Sequence, residues 1–95
     1  MNDIYYVKLF DYYGELFTDK QKEYFVDYYF NNLTLQEIAD NNKVSKNAVH
    51  KNIKEIKEKL VYYEEKLNLY SNCKKIEKII ENLDANIKER IKELI

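Results

Sequence analysis

A chain of 95 residues with no proline and a single glycine, Gly14, lacks nearly all the residues that turn hairpins and interrupt strands. Lys, Glu and Leu, which helices accept readily, recur instead at helical spacing, together with Ile and Asn. The expected fold class is therefore all-α. This length fills one compact domain plus an appended helix, because a second core could not bury enough surface to stand alone.

The apolar residues locate the helices. Between Asp3 and Phe17, the positions Tyr6, Leu9, Phe10, Tyr13, Leu16 and Phe17 fall along one side of a first helix. Thr18-Asp19-Lys20-Gln21 then has the form of a capping box, in which a hydroxyl and an amide side chain answer each other's backbone N–H. It opens a second helix with Tyr24, Phe25, Tyr28 and Tyr29 inward. Asn31-Asn32 is a stop, and Thr34-Leu35-Gln36-Glu37 repeats the box for a short third helix with Leu35, Ile38 and Ala39 inward. Asn41-Asn42-Lys43 makes a turn, and Ser45 is placed to cap a fourth helix.

In that fourth helix Val49, Ile53, Ile56, Leu60, Tyr63, Leu67 and Tyr70 alternate four and three residues apart, the spacing of a coiled-coil seam. A break is expected at Tyr70-Ser71-Asn72. Beyond it Ile76, Ile79, Ile80, Leu83, Ile87, Ile91 and Leu94 line one side of a fifth, C-terminal amphipathic helix. Residues 1–60 are read as one domain and residues 61–95 as a helical extension. The fifth helix either folds back on the fourth or pairs, with it, against a second copy of the chain; because two long amphipathic helices exceed what so small a unit can cover, a homodimer through helices four and five is the favoured expectation.

Charge is uneven beneath a net of −1. Residues 1–42 hold three lysines against eight acids, residues 43–60 six lysines against two acids, and residues 61–95 seven of each sign. On a helix turning about 100° per residue, Lys46, His50, Lys54 and Lys57 form one stripe, with Asn47 and Lys51 beside it, all turned away from Val49, Ile53, Ile56 and Leu60. Such a face suits a phosphate backbone, since neutralised phosphates release their counterions, and Asn47 and Ser45 can hydrogen-bond base edges.

Other chemistry has little foothold. His50 and Cys73 are the only histidine and cysteine, so no zinc-ligand set and no cofactor is expected. The adjacent carboxylates Glu64 and Glu65 point in different directions and have no nucleophile beside them, so the chain is not read as an enzyme. No stretch approaches the ~20 apolar residues that cross a bilayer, which makes a cytoplasmic protein with no membrane association the expectation. Tyr6, Tyr13, Tyr24, Tyr28 and Tyr63 sit on apolar helical positions and are read as core; Tyr5, Tyr12 and Tyr62 fall off those stripes and are either anchors for a protein partner or a mark of the chain's composition bias alone.

A helix-turn-helix needs a small residue where its helices cross and apolar residues before and within the second helix, and Ala39, Val44 and Val49 answer to these. The run Phe17-Thr18, Gln21, Leu33 to Ala39, Val44-Ser45, Val49, Ile53 and Leu60 resembles region four of bacterial sigma factors. With Leu9-Phe10-Asp11-Tyr12-Tyr13, Leu16, Tyr28-Tyr29 and Tyr63-Glu64-Glu65-Lys66-Leu67 added, the chain resembles the YlxM-like family of small bacterial helix-turn-helix proteins. That resemblance implies a sigma-region-four-like bundle that binds double-stranded DNA in a regulatory role. Through the family's usual gene neighbourhood it also implies a connection with the signal recognition particle, a component of which is then a candidate protein partner. The groove-facing residues it implies are Ser45, Lys46, Asn47, His50, Lys51 and Lys54. The alternative reading is a protein-interaction module of the targeting machinery that does not bind DNA. Two residues depart from the usual turn: Asn42 stands where an apolar side chain is common and must be exposed or satisfied, and Lys43 stands where glycine is common and is asked for a positive φ.

Overall fold

The computed structural model describes residues 3–81 and 85–94, and among these there are six α-helices and no strand. They are α1 (Asp3–Tyr13), α2 (Asp19–Tyr29), α3 (Leu35–Asn42), α4 (Lys46–Leu67), α5 (Leu69–Ile80) and α6 (Ala85–Lys92), with a 3-10 turn at Gly14–Leu16. The all-α helix-turn-helix expectation is met, and no described helix is long and apolar enough to cross a membrane.

Local chemistry sets most of the boundaries. The Thr18 hydroxyl accepts from the Gln21 N–H at 3.2 Å while Gln21 Oε1 accepts from the Thr18 N–H at 2.9 Å, and Thr34 and Glu37 repeat the pair at 3.1 and 3.0 Å. Each box satisfies amides that a helix start otherwise leaves unpaired. The first helix, expected to run to Phe17, stops at Tyr13 because the chain tightens at Gly14, where Phe17 N–H closes on the Gly14 carbonyl. A Cβ at Gly14 would meet the Phe10 ring at 3.2 Å, so the residue is small for packing. The tightened turn carries Phe17 inward and leaves Leu16, expected inward, 55% exposed.

The core is built around α4, whose Val49, Ile53, Ile56 and Leu60 are buried against α1, α2 and α3. Leu9, Tyr13, Phe25, Ile38 and Ala39 close it from the other side. Phe10 stacks on Phe25 with ring centroids 4.1 Å apart. Ala39 is fully buried, consistent with the small side chain required where α3 and α4 meet.

The seam does not continue to Tyr70. The long helix ends at Asn68, whose φ of 53° is left-handed, two residues before the expected break. Tyr70 therefore belongs to α5, where its ring meets those of Tyr5 and Tyr12 at 5.9 and 6.1 Å, and α5 packs on α1 and α4 of the same chain. Asn68 supplies the left-handed stop, and Glu64 braces the break from the other side. Its buried carboxylate accepts from the Tyr13 hydroxyl at 2.5 Å and from the N–H groups of Tyr70 and Ser71 at 3.1 and 3.0 Å. The Tyr13 oxygen in turn accepts from Leu69 N–H at 3.1 Å. A carboxylate on α4 and a phenol on α1 thus do for α5 what Thr18 and Thr34 do for α2 and α3. The single C-terminal helix expected after the break is described as α5 and α6; Leu83, assigned to its apolar side, lies outside the described residues. Ile80 is buried, whereas Ile79 and Leu94 are exposed.

Candidate nucleic-acid interface

The turn between α3 and α4 fixes how the front of α4 is presented. Lys43 takes the left-handed conformation, φ 56°, which lets Val44 N–H reach back to the Ala39 carbonyl at 3.1 Å and close α3. Asn42, the unusual polar residue of the turn, is satisfied on both sides. Its Nδ2 donates to the Ile38 carbonyl at 2.7 Å and its Oδ1 accepts from Lys20 Nζ at 2.5 Å. Lys20, which also meets Glu23 at 3.2 Å, ties α2 to the turn, a role that its place in the sequence does not announce. Ser45 then caps α4, its Oγ accepting from Ala48 N–H at 3.0 Å. The hydroxyl proton is still available to donate outward.

Ser45, Lys46, Asn47, His50, Lys51 and Lys54 are all exposed, at the N-terminal end of α4. No acid lies in the first turn, and among the described residues none of these lysines is in an ion pair. The helix dipole adds a partial positive charge at the same end. His50 and Lys54 also border a small cleft of about 160 Å³ with Tyr28, Leu35, Ile53 and Lys57.

Lys57 departs from the stripe. It is half-buried, with its Nζ 5.3 Å from the Tyr6 ring centroid and 5.7 Å from that of Tyr29, so its charge is held by aromatic faces of α1 and α2. The outward basic surface is consequently shorter than the helical period implies.

The pairing of Glu64 with Tyr13 is not visible in the sequence, though Glu64 carries a signal. It lies four residues after the buried Leu60, on the inward side of α4. Burial, followed by the Glu64 hydrogen bond, raises the Tyr13 phenol above its ordinary value of 10.0. Among the described residues, no group of three or more His, Cys, Asp or Glu side chains is arranged to hold a metal ion.

The pattern that defines the UPF0122 family, described as "Putative helix-turn-helix protein, YlxM / p13 like", matches residues 1–94. A UPF0122 protein of Malacoplasma penetrans is 54% identical over 59 residues, a match spanning 62% of this chain and 55% of that protein. One from Listeria innocua is 42% identical over 82 residues, covering 86% of this chain and 74% of the relative. One from Oceanobacillus iheyensis is 42% identical over 91 residues, covering 90% and 87%. The helices, the turn and these similarities agree: the chain belongs to the UPF0122 family of YlxM/p13-like helix-turn-helix proteins.

Proposed function

We propose that this protein is a cytoplasmic regulator that binds double-stranded DNA through the front of α4, with Ser45, Lys46, Asn47, His50, Lys51 and Lys54 toward the groove, and acts by occupancy rather than by chemistry. The observation that carries the reading is the exposure of these six residues on a helix start that has no acid in its first turn. Segregation supports it further: Val49, Ile53 and Ile56 point into the core while the lysines point to water. The lysines supply salt-sensitive affinity by counterion release, and Asn47 and Ser45 supply hydrogen bonds to base edges.

The test is retention on duplex DNA at low and raised salt. The wild type is expected to bind at low salt with steep salt dependence. Lys46→Ala/Lys51→Ala/Lys54→Ala is expected to bind weakly and to flatten the slope of log affinity against log salt by about 3, one unit for each phosphate no longer neutralised. No binding at low salt, or an unchanged slope in the triple variant, removes the DNA reading.

A homodimer through the helical extension of residues 61–95 is part of the same proposal, favoured by exposed apolar side chains at Leu67, Leu69, Ile79 and Ile87. The connection with the signal recognition particle rests on the YlxM-like resemblance, and co-purification with the particle tests it. The second reading, a protein-interaction module without DNA binding, is favoured by the surplus of five acidic charges over residues 1–42 and by the absence of arginine from residues 43–60.

A further inference from the structure

The balanced charge of residues 61–95 conceals a second segregation. Lys74 and Lys78 stand one turn apart on α5, Lys88 and Lys92 one turn apart on α6, and all four line one cleft of about 860 Å³. Like charges at this spacing repel along a helix, and here two such pairs line the same concave space. Glu77 and Glu81 also line it, yet among the described residues neither forms an ion pair with any of the four lysines. Glu77 instead accepts from the Cys73 thiol at 3.4 Å. Lys74 lies over the Tyr70 ring at 5.8 Å, and Lys88 is half-buried.

We propose that the cleft between α5 and α6 binds a compact polyphosphate anion. Its volume falls in the range of small-ligand sites. Four ammonium groups against two carboxylates concentrate positive potential in a concave space, where it is screened less than on an open surface. A small polyanion lets the lysines converge on neighbouring phosphate oxygens through charge-assisted hydrogen bonds. A duplex is the poorer fit, because its regular row of phosphates needs an open basic face, and here two carboxylates stand within the wall. The site is separate from the front of α4 and does not require DNA to bind there.

The experiment titrates sodium tripolyphosphate into the full chain at low salt by calorimetry. Saturable binding is expected. Lys78→Gln/Lys88→Gln should weaken it by about tenfold or more, as the loss of two charge-assisted hydrogen bonds implies. Lys59→Gln/Lys75→Gln removes the same charge from positions that do not line the cleft and should leave the affinity within about threefold of wild type, the scale of diffuse electrostatics. Circular dichroism of both variants should match wild type, since all four side chains are partly or fully exposed. Absence of binding, or equal weakening in the two double variants, overturns the proposal. So does a short duplex that displaces tripolyphosphate from the wild type and itself binds less well to Lys78→Gln/Lys88→Gln, for the cleft would then be a nucleic-acid contact.

Discussion

Glu64 shows how much one side chain carries in a molecule of this size. It is 8% exposed, and its two oxygens serve the Tyr13 hydroxyl and the first amides of α5. Replacing it by leucine leaves those donors without an acceptor and is expected to lower unfolding free energy by about 2–4 kcal/mol. Tyr13→Phe keeps the ring in the core and removes one hydroxyl, for an expected loss of about 1–2 kcal/mol. Urea denaturation measures both, and midpoints equal to wild type would show that water replaces these bonds without cost. Lys57 is the complementary case. Its ammonium rests between Tyr6 and Tyr29, so Lys57→Ala should cost about 1 kcal/mol of stability while leaving the salt slope of DNA retention unchanged.

The helices divide by how local their causes are. The starts of α2, α3 and α4 are legible in the sequence because a Thr or Ser and the amide three residues on meet within one turn; so are the inward positions of α4 through Leu60 and the outward lysines at its front. The join between α4 and α5 is only partly legible: Asn68 is a residue that tolerates the left-handed stop, but the capping of α5 depends on a contact between residues 13 and 64. The capture of Lys57 is not legible, because it needs α1 and α2 in place. The turn at Lys43 is legible as a strain and is realised as one: φ is 56° on a residue with a Cβ. Lys43→Gly should therefore stabilise the protein by about 0.5–1 kcal/mol, and Thr34→Ala should destabilise it by about 1 kcal/mol through loss of a cap. Thermal unfolding of the two variants, shifted in opposite directions, checks the pair.

At the scale of the whole molecule, an elongated body of 53 × 25 × 24 Å carries its basic helix start on a bundle closed largely by aromatic rings. Several of its phenols titrate late. Burial raises Tyr5, Tyr13 and Tyr29, and a hydrogen bond with Cys73, followed by burial, raises Tyr12 to about 12. Because the folded state holds these protons more tightly, their contribution is fully present below the ordinary value of 10.0 and is lost as pH rises through the folded values. Unfolding free energy should thus be level with respect to these groups up to about pH 10 and fall above it, with phenolate absorbance lagging behind that of the urea-unfolded chain. For the proposed dimer, Leu67→Lys should shift sedimentation toward monomer across micromolar concentrations, and a wild type that sediments as monomer throughout would remove the dimer. The Glu64 joint also narrows which side chains can fill position 64. Aspartate is a methylene short of the two amides, glutamine offers them a second donor where an acceptor is wanted, and an apolar residue answers none of them. A substitution at position 64 therefore reaches the opening of α5 as well as Tyr13, so the helices on either side of Asn68 respond to it together.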